Sequence, residues 1–264
     1  MALIWIIILA VVQGLAEFLP VSSSGHLVIL GALSGIKEED ELAFFIVLHA
    51  GTLLATVVYF RKELWDLARS LFRRENSSLR YVGLIVTTMV PTAILGFSLK
   101  KWVEAAISKP AFAGGALLFS AAFLWATKYL PEGKKDASGI SYLDAFLIGT
   151  AQGVSATFRG VTRSGATISA ALARGLTREE AFRFSFLASL PAVAGAAALE
   201  ARGVMKAAND MGAWHLVLGA ALAFGIGLFA LAFLKKTVVG NKFHWFSVWC
   251  VIAGVGGLIV GFCR

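Results

Sequence analysis

The sequence predicts an all-α polytopic membrane protein with six transmembrane helices plus two re-entrant helix-loop-helix hairpins in an inverted repeat. Three observations carry that prediction. The 264 residues are 58% hydrophobic and 15% charged, with mean hydropathy +0.78, and a water-soluble core of this length exposes far more charge. Six apolar segments, 43–60, 82–99, 111–127, 182–200, 214–234 and 245–262, approach or exceed the roughly 20 residues that cross a bilayer. Two further apolar stretches are broken in the middle by polar residues, and neither of their arms is long enough to span.

The first broken stretch is Gln13-Gly14-Leu15-Ala16-Glu17-Phe18-Leu19-Pro20-Val21-Ser22-Ser23-Ser24-Gly25-His26, between the apolar arms Leu3–Val12 and Leu27–Leu33. A carboxylate, an imidazole and three hydroxyls at membrane depth are costly unless protein or a wet cavity receives them. Irregular backbone there is tolerated only where it lines such a cavity. A hairpin that enters, breaks at Pro20 and returns satisfies both conditions. An acidic linker, Lys37 to Glu41, follows, and then the first span. The stretch 61–80, with Arg61, Lys62, Arg69, Arg73, Arg74 and Arg80, reads as a solvated loop that sets topology. The second broken stretch, 141–158 and 164–174, is interrupted by Thr157-Phe158-Arg159-Gly160-Val161-Thr162-Arg163-Ser164-Gly165.

The two stretches echo one another. Gln13-Gly14 matches Gln152-Gly153, Ser24-Gly25 matches Ser164-Gly165, and Ala43-Phe44 matches Ala181-Phe182, at offsets of 139, 140 and 138 residues. The chain then reads as one membrane domain, 1–264. Its halves are 1–130 (hairpin 1–35 and three spans) and 141–264 (hairpin 141–175 and three spans). Three spans reverse the chain, so the halves are inverted, an arrangement that places broken helices near the midplane. Counting Lys and Arg over the loops gives fifteen on the side of 61–80 and seven on the other. By the positive-inside rule the first side is cytoplasmic, and the mouth of the first hairpin faces outward. The formal charge of +8 is thereby accounted for by topology, and no nucleic-acid partner is expected. The apolar Cys250 and Cys263 carry no disulfide or zinc pattern.

Gln13 and Glu17, four residues apart, share a helix face. Ser22, Ser23 and Ser24 stand where the outgoing helix of the first hairpin begins, and Ser164 stands as the cap of its counterpart with Arg163 before it. Helix N-termini attract anions, and arginine grips phosphate oxygens in a bidentate fashion. If the hairpins meet, Arg163, Arg159 and two helix N-termini form a phosphate or diphosphate clamp, and Glu17 with His26 adds an acid/base pair. That combination suggests phosphoryl transfer. His49, His215 and His244 read as structural, Ser185 and Ser189 as interhelical hydrogen-bonding groups, and Asp144 and Glu200 as interfacial. Pro91 and Pro191 occupy matching interior places.

The sequence resembles the undecaprenyl-diphosphate phosphatases of the bacitracin-resistance type over nearly its whole length. The resemblance rests on Gln13 to His26 (QGLAEFLPVSSSGH) and Gly160 to Ile168 (GVTRSGATI), with Phe184-Ser185-Phe186-Leu187 and Pro191 in support. It implies removal of the terminal phosphate of a C55 isoprenyl diphosphate, which regenerates the lipid carrier of cell-wall glycans. It also implies six spans with two re-entrant pairs and an association with a divalent cation, magnesium or calcium. By position, Glu17 matches the second carboxylate of the family's acidic pair and is the candidate metal ligand, and Gln13 stands where many members carry the first. Ser22, Ser23 and His26 match the family's outward-facing catalytic segment, and Ser24 replaces its frequent threonine. Arg163 matches the essential arginine, followed by Ser164 and Gly165, with Thr162 where serine is usual. Arg159 replaces a proline.

The resemblance thus implies catalytic roles for Glu17, Ser23, His26 and Arg163. Substrate-binding roles fall to Gln13, Ser22, Ser24, Gly25, Arg159, Thr162, Ser164 and Gly165. The nucleophile stays open between His26, a serine (Ser23 before Ser22) and an activated water. Expected partners are the polyprenyl diphosphate and membrane lipid, with a homodimer left open. A lipid-phosphate transporter or flippase is the rival reading, because inverted repeats also build carriers. The Glu17 and His26 pair, which binding alone does not require, separates the two.

Overall fold

The computed structural model describes residues 3–34, 38–107, 110–158, 160–211 and 213–262. Eleven α-helices occupy them: α1 Leu3–Ala16, α2 Ser23–Ser34, α3 Glu38–Tyr59, α4 Arg61–Phe72, α5 Asn76–Ile107, α6 Pro110–Ala126, α7 Tyr142–Thr157, α8 Arg163–Ala173, α9 Arg178–Met211, α10 Ala213–Val239 and α11 Phe246–Phe262. Short 3-10 turns at Thr127–Tyr129 and Phe243–Trp245 follow α6 and precede α11. Among the described residues there is no strand, only an isolated bridge between Lys135 and Leu176. Five stretches are long and apolar enough to cross a membrane: Asn76–Ser98, Ala111–Tyr129, Arg178–Ala198, Ala213–Val239 and Phe243–Gly261. A sixth span results if Phe44–Tyr59 is counted with Arg61–Phe72, from which it is bent by 67°. The chain is a multi-pass, all-α membrane protein.

Several boundaries differ from the sequence expectation. Residues 38–41 are not linker but the start of α3; Lys37 lies outside the described residues. The stretch 61–80 is not a loop either. Leu64, Leu67 and Leu71 recur at helical spacing and are half-buried, Leu64 against the core, and 61–72 forms α4. The opposite side of that helix leaves Trp65 and Phe72 exposed. The spans around Pro91 and Pro191 extend well past the apolar core, to 32 residues in α5 and 34 in α9. Both prolines lie inside their helices.

The helices pack in exchanged pairs. α1 lies on α10 as α7 lies on α5, while α3 meets α9 and α6 meets α11. Swapping the halves of the chain maps this set of contacts onto itself. Close approach depends on small residues, as in membrane packing generally. A Cβ on Gly114 of α6 would come 2.6 Å from the carbonyl oxygen of Gly254 in α11.

The interior is rich in phenylalanine. Phe18, in the turn after α1, packs against Phe186 of α9 with ring centroids 5.9 Å apart, and Phe186 meets Phe60 and Phe182. Those rings anchor the turn that carries Glu17. On the opposite side of the same turn, Cys250 Sγ of α11 lies 3.2 Å from the Pro20 carbonyl oxygen.

At the start of α7 the structure overturns an expectation. Asp144 is fully buried rather than interfacial. Its carboxylate accepts from Lys135 Nζ at 2.8 Å, from Arg174 Nε at 2.6 Å and from the Ser141 amide at 3.0 Å. Ser141 returns the contact as the N-cap, completing a capping box. Burial by itself pushes the Asp144 carboxyl up, but Lys135, the Ser141 amide and Arg174 together hold it well below the usual carboxylate range. The network ties the linker before α7 to the end of α8.

Candidate functional site

α1 ends at Ala16, one residue before Glu17, and the chain continues as a turn. The Glu17 amide bonds the Gln13 carbonyl at 3.0 Å, Leu19 bonds Leu15 at 3.0 Å, and Val21 reaches Leu19 at 2.7 Å. Pro20 has no amide to donate, so the ladder cannot continue. Ser22 then takes a left-handed conformation, φ +67°, which is uncommon for a residue with a side chain. That reversal launches α2 at Ser23. The Ser22 carbonyl lies 2.9 Å from His26 Nδ1, and the His26 ring stacks on Trp249 with centroids 6.0 Å apart.

The second break is built differently. Gly160 adopts φ +102°, and Ser120 of α6 clamps the loop. Its hydroxyl donates to the Gly160 carbonyl at 3.3 Å and accepts from the Thr162 amide at 3.2 Å. The N-cap of α8 is Thr162, and its side chain makes no capping bond. The sequence predicts Ser164 as the cap; in the structure Ser164 is a buried member of the first turn. The buried Thr162 Oγ1 has no hydrogen-bond partner among the described residues. Among the described residues no side chain accepts from the first amides of α8, an end whose dipole favours an anion. Arg159 lies outside the described residues.

The two breaks meet. A Cβ on Gly165 would fall onto the Thr162 hydroxyl and stand 3.2 Å from Pro20 Cβ, so the first turn of α8 lies close against the first hairpin where glycine leaves room. At that junction Arg163 Nη2 forms an ion pair with Glu17 Oε1. The other carboxylate oxygen accepts from Ser23 Oγ at 2.9 Å and from Gln13 Nε2 at 3.1 Å. The Glu17 side chain is 8% exposed and that of Arg163 27%. Gln13 Oε1 is buried without a hydrogen-bond partner among the described residues.

A cavity of about 300 Å³ opens over this cluster. Glu17, Ser22, Ser23 and Ser24 line it from the first hairpin, and Thr162, Arg163 and Ser164 from the second. Small apolar residues, among them Ala192, Val193 and Ala196 of α9, form another part of its wall. A cavity with an anion-binding end and an apolar wall suits an amphiphile.

Glu17, Ser22, Ser23, Ser24, Thr162, Arg163 and Ser164 thus line one cavity, and Gln13 joins them through its bond to the Glu17 carboxylate. Gly25 lies beside Ser22, where an added Cβ would come 3.7 Å from the Ser22 hydroxyl. His26 sits a turn further along α2, held by Ser22. The site also holds a histidine that the sequence alone presents as structural. His49 of α3 lines the cavity, with Nε2 3.5 Å from Glu17 Oε2 and Nδ1 2.7 Å from the Phe45 carbonyl. The only sequence signal for it is a histidine inside a span with threonine three residues on, which structural histidines share. Ser189 bonds its own helix through the Phe186 carbonyl at 2.9 Å. The hydroxyl of Ser185 is buried without a partner among the described residues.

Apolar helices around two broken pairs, with a buried Glu–Arg contact joining the breaks, define a multi-pass membrane protein whose site is assembled from two distant parts of the chain. Comparison with known proteins places it more narrowly. Residues 6–256 match the family model described as bacitracin resistance protein BacA, and the chain belongs to that family. Relatives named undecaprenyl-diphosphatase include one from Desulfosudis oleivorans, 41% identical over 271 residues (97% of each chain). Another, from Bacteroides thetaiotaomicron, is 40% identical over 257 residues (96% of each). A third, from Methanococcus vannielii, is 34% identical over 249 residues, covering 94% of this chain and 96% of its own.

Proposed function

We propose that this protein hydrolyses undecaprenyl diphosphate to the monophosphate and inorganic phosphate, at a site open to the outer side of the cell membrane, and so returns the lipid carrier to cell-wall glycan synthesis. Family membership and the names of the relatives support the reaction. The observation that carries it is the single carboxylate of Glu17, which engages an arginine on one oxygen and a serine hydroxyl on the other. The excess of Lys and Arg on the side of 61–80 supports the orientation.

The incoming diphosphate competes with Glu17 for Arg163 and settles against the uncapped amides of α8. As Arg163 turns to phosphate, Glu17 is freed to accept a proton. Ser23 Oγ then attacks the terminal phosphorus, its proton passes to Glu17, and the bridging P–O bond breaks. Undecaprenyl phosphate leaves, and water hydrolyses the phosphoserine to release inorganic phosphate and restore the hydroxyl. Arg163 and the helix amides offset the charge that builds on the leaving oxygen. His49, fixed by the Phe45 carbonyl, orients the carboxylate.

A divalent cation fits this donor set in a limited way. Among the described residues no group of three His, Cys, Asp or Glu side chains gathers as a metal cage. Magnesium, however, commonly takes a single carboxylate together with substrate phosphates. Glu17 and the unpaired Gln13 Oε1 would hold it, and it would neutralise diphosphate charge.

The test is phosphate release from undecaprenyl diphosphate by purified protein, wild type against Glu17→Ala, Ser23→Ala, His26→Ala and Arg163→Ala. Quenched turnover should trap an acid-stable phosphoserine. An acid-labile phosphoenzyme that vanishes in His26→Ala would move the attack to His26, and direct entry of oxygen-18 from water without any phosphoenzyme would assign it to water. Wild-type protein that binds the lipid but releases no phosphate would leave the transport reading in its place.

A further inference from the structure

On the basic side of the molecule, a groove lies between the end of α10 and the start of α11. We propose that it binds one anionic phospholipid, with the phosphate against Lys236 and Lys242 and an acyl chain along Phe233 and Phe246. The inference is independent of the catalytic reading.

The groove encloses about 560 Å³ and is lined by Phe233, Lys236, Thr237, Gly240, Lys242, Trp245 and Phe246. Its depth in the bilayer follows from the chain. The apolar span of α10 ends at Val239 and the next one begins at Phe243, so the groove sits where hydrocarbon gives way to headgroups. Nearby aromatic residues mark the same level: Trp245 is 61% exposed, Trp125 packs on His244 at 5.8 Å, and Lys128 lies over the Trp125 ring at 5.0 Å. Tryptophan and lysine gather at this boundary in membrane proteins.

The charge is one-sided. The lining holds two lysines and no carboxylate. The neighbouring Lys235 is taken by Glu179 at 2.7 Å, whereas among the described residues no ion pair engages Lys236 or Lys242. Two unpaired cations above three aromatic rings fit a headgroup phosphate above an acyl chain. A free phosphate ion would leave the aromatic wall uncovered, and a zwitterionic headgroup would bring its own cation against the lysines. Basic pockets between spans are an established mode of lipid recognition.

The test uses the full chain in detergent, titrated with dioleoylphosphatidylglycerol or dioleoylphosphatidylcholine and read by native mass spectrometry. The variants are K236Q/K242Q and, as a control on the same side, R73Q/R74Q. Thermal unfolding confirms that each variant is folded. Wild type should hold phosphatidylglycerol in preference to phosphatidylcholine. The K236Q/K242Q protein should bind phosphatidylglycerol about thirtyfold more weakly, the loss expected from removing two cationic contacts near a membrane surface. R73Q/R74Q should bind it as wild type does. Equal binding of both lipids by wild type, an equal loss in the control, or displacement of the lipid by inorganic phosphate at the same concentration would each overturn the proposal.

Discussion

Replacing Arg163 with alanine separates what the Glu17–Arg163 contact does for the fold from what it does for chemistry. In Arg163→Ala the Glu17 carboxylate, 8% exposed, keeps only Ser23, Gln13 and His49. Breaking a buried, hydrogen-bonded charge pair costs roughly 2–5 kcal/mol, much of it the penalty of the charge left behind. Arg163 is 27% exposed and faces a cavity, so the lower end, about 2 kcal/mol, applies. For a chain of this size that corresponds to a fall of roughly 4–8 °C in melting temperature. Adding Glu17→Gln removes the stranded charge while keeping an acceptor for Ser23. The double variant should therefore recover most of the lost stability but none of the phosphate release. Thermal unfolding in detergent and phosphate release on the same preparations, arranged as a double-mutant cycle, give both readouts. A double variant no more stable than Arg163→Ala would refute the claim that the pair joins the two breaks.

Three further outcomes follow from the same geometry. His49→Leu should slow phosphate release about 10- to 100-fold, the scale of a misplaced catalytic group. His49→Gln, which can still reach Glu17, should lose less, and steady-state kinetics of the two variants should show the difference in kcat rather than KM. Gly165→Ala should force the first turn of α8 away from Pro20, at a cost of about 1–3 kcal/mol for overpacking, with a matching loss of phosphate release. Asp144→Asn should lower stability above pH 5 by roughly 1–3 kcal/mol, because Lys135 and Arg174 lose the charge they share and one of its two acceptor oxygens becomes a donor. The Asp144 carboxyl is held below its unfolded value, so its contribution is complete above about pH 4 and fades as pH falls through the folded pKa. Melting curves of wild type and Asp144→Asn, taken from pH 6 downward, should keep their separation to about pH 4 and draw together only as pH falls on toward the depressed folded pKa.

Hydropathy made the spans legible because in a membrane the same apolar run that forms a helix also hides its backbone. It carried no such signal for α4. Arg61, Lys62, Arg69 and Arg73 lower the mean hydropathy of that stretch, while the residues that fold it, Leu64, Leu67 and Leu71, show only as a spacing. The ends of α5 and α9 were obscured for a related reason. Once a helix leaves the hydrocarbon it continues as far as its tertiary contacts and capping allow, and an apolar window cannot register either.

The site was legible where chemistry and chain breaks coincide, since a carboxylate or guanidinium beside Pro20 or Gly160 has no cheap structural explanation. Residues that reach the same point from unbroken helices give no such contrast. His49 stands among apolar neighbours as a structural histidine would, and only the turn that follows α1 brings Glu17 to its Nε2. Asp144 was misjudged by the converse reasoning. Its place near a segment end suggested water, yet Lys135 lies nine residues before it and Arg174 thirty residues after it. A buried carboxylate is affordable at a helix start when the amide of its own capping box and two cations from flanking segments supply the hydration it gives up. Those partners are brought together by the fold of the second broken pair, so the sequence around Asp144 alone could not have announced them.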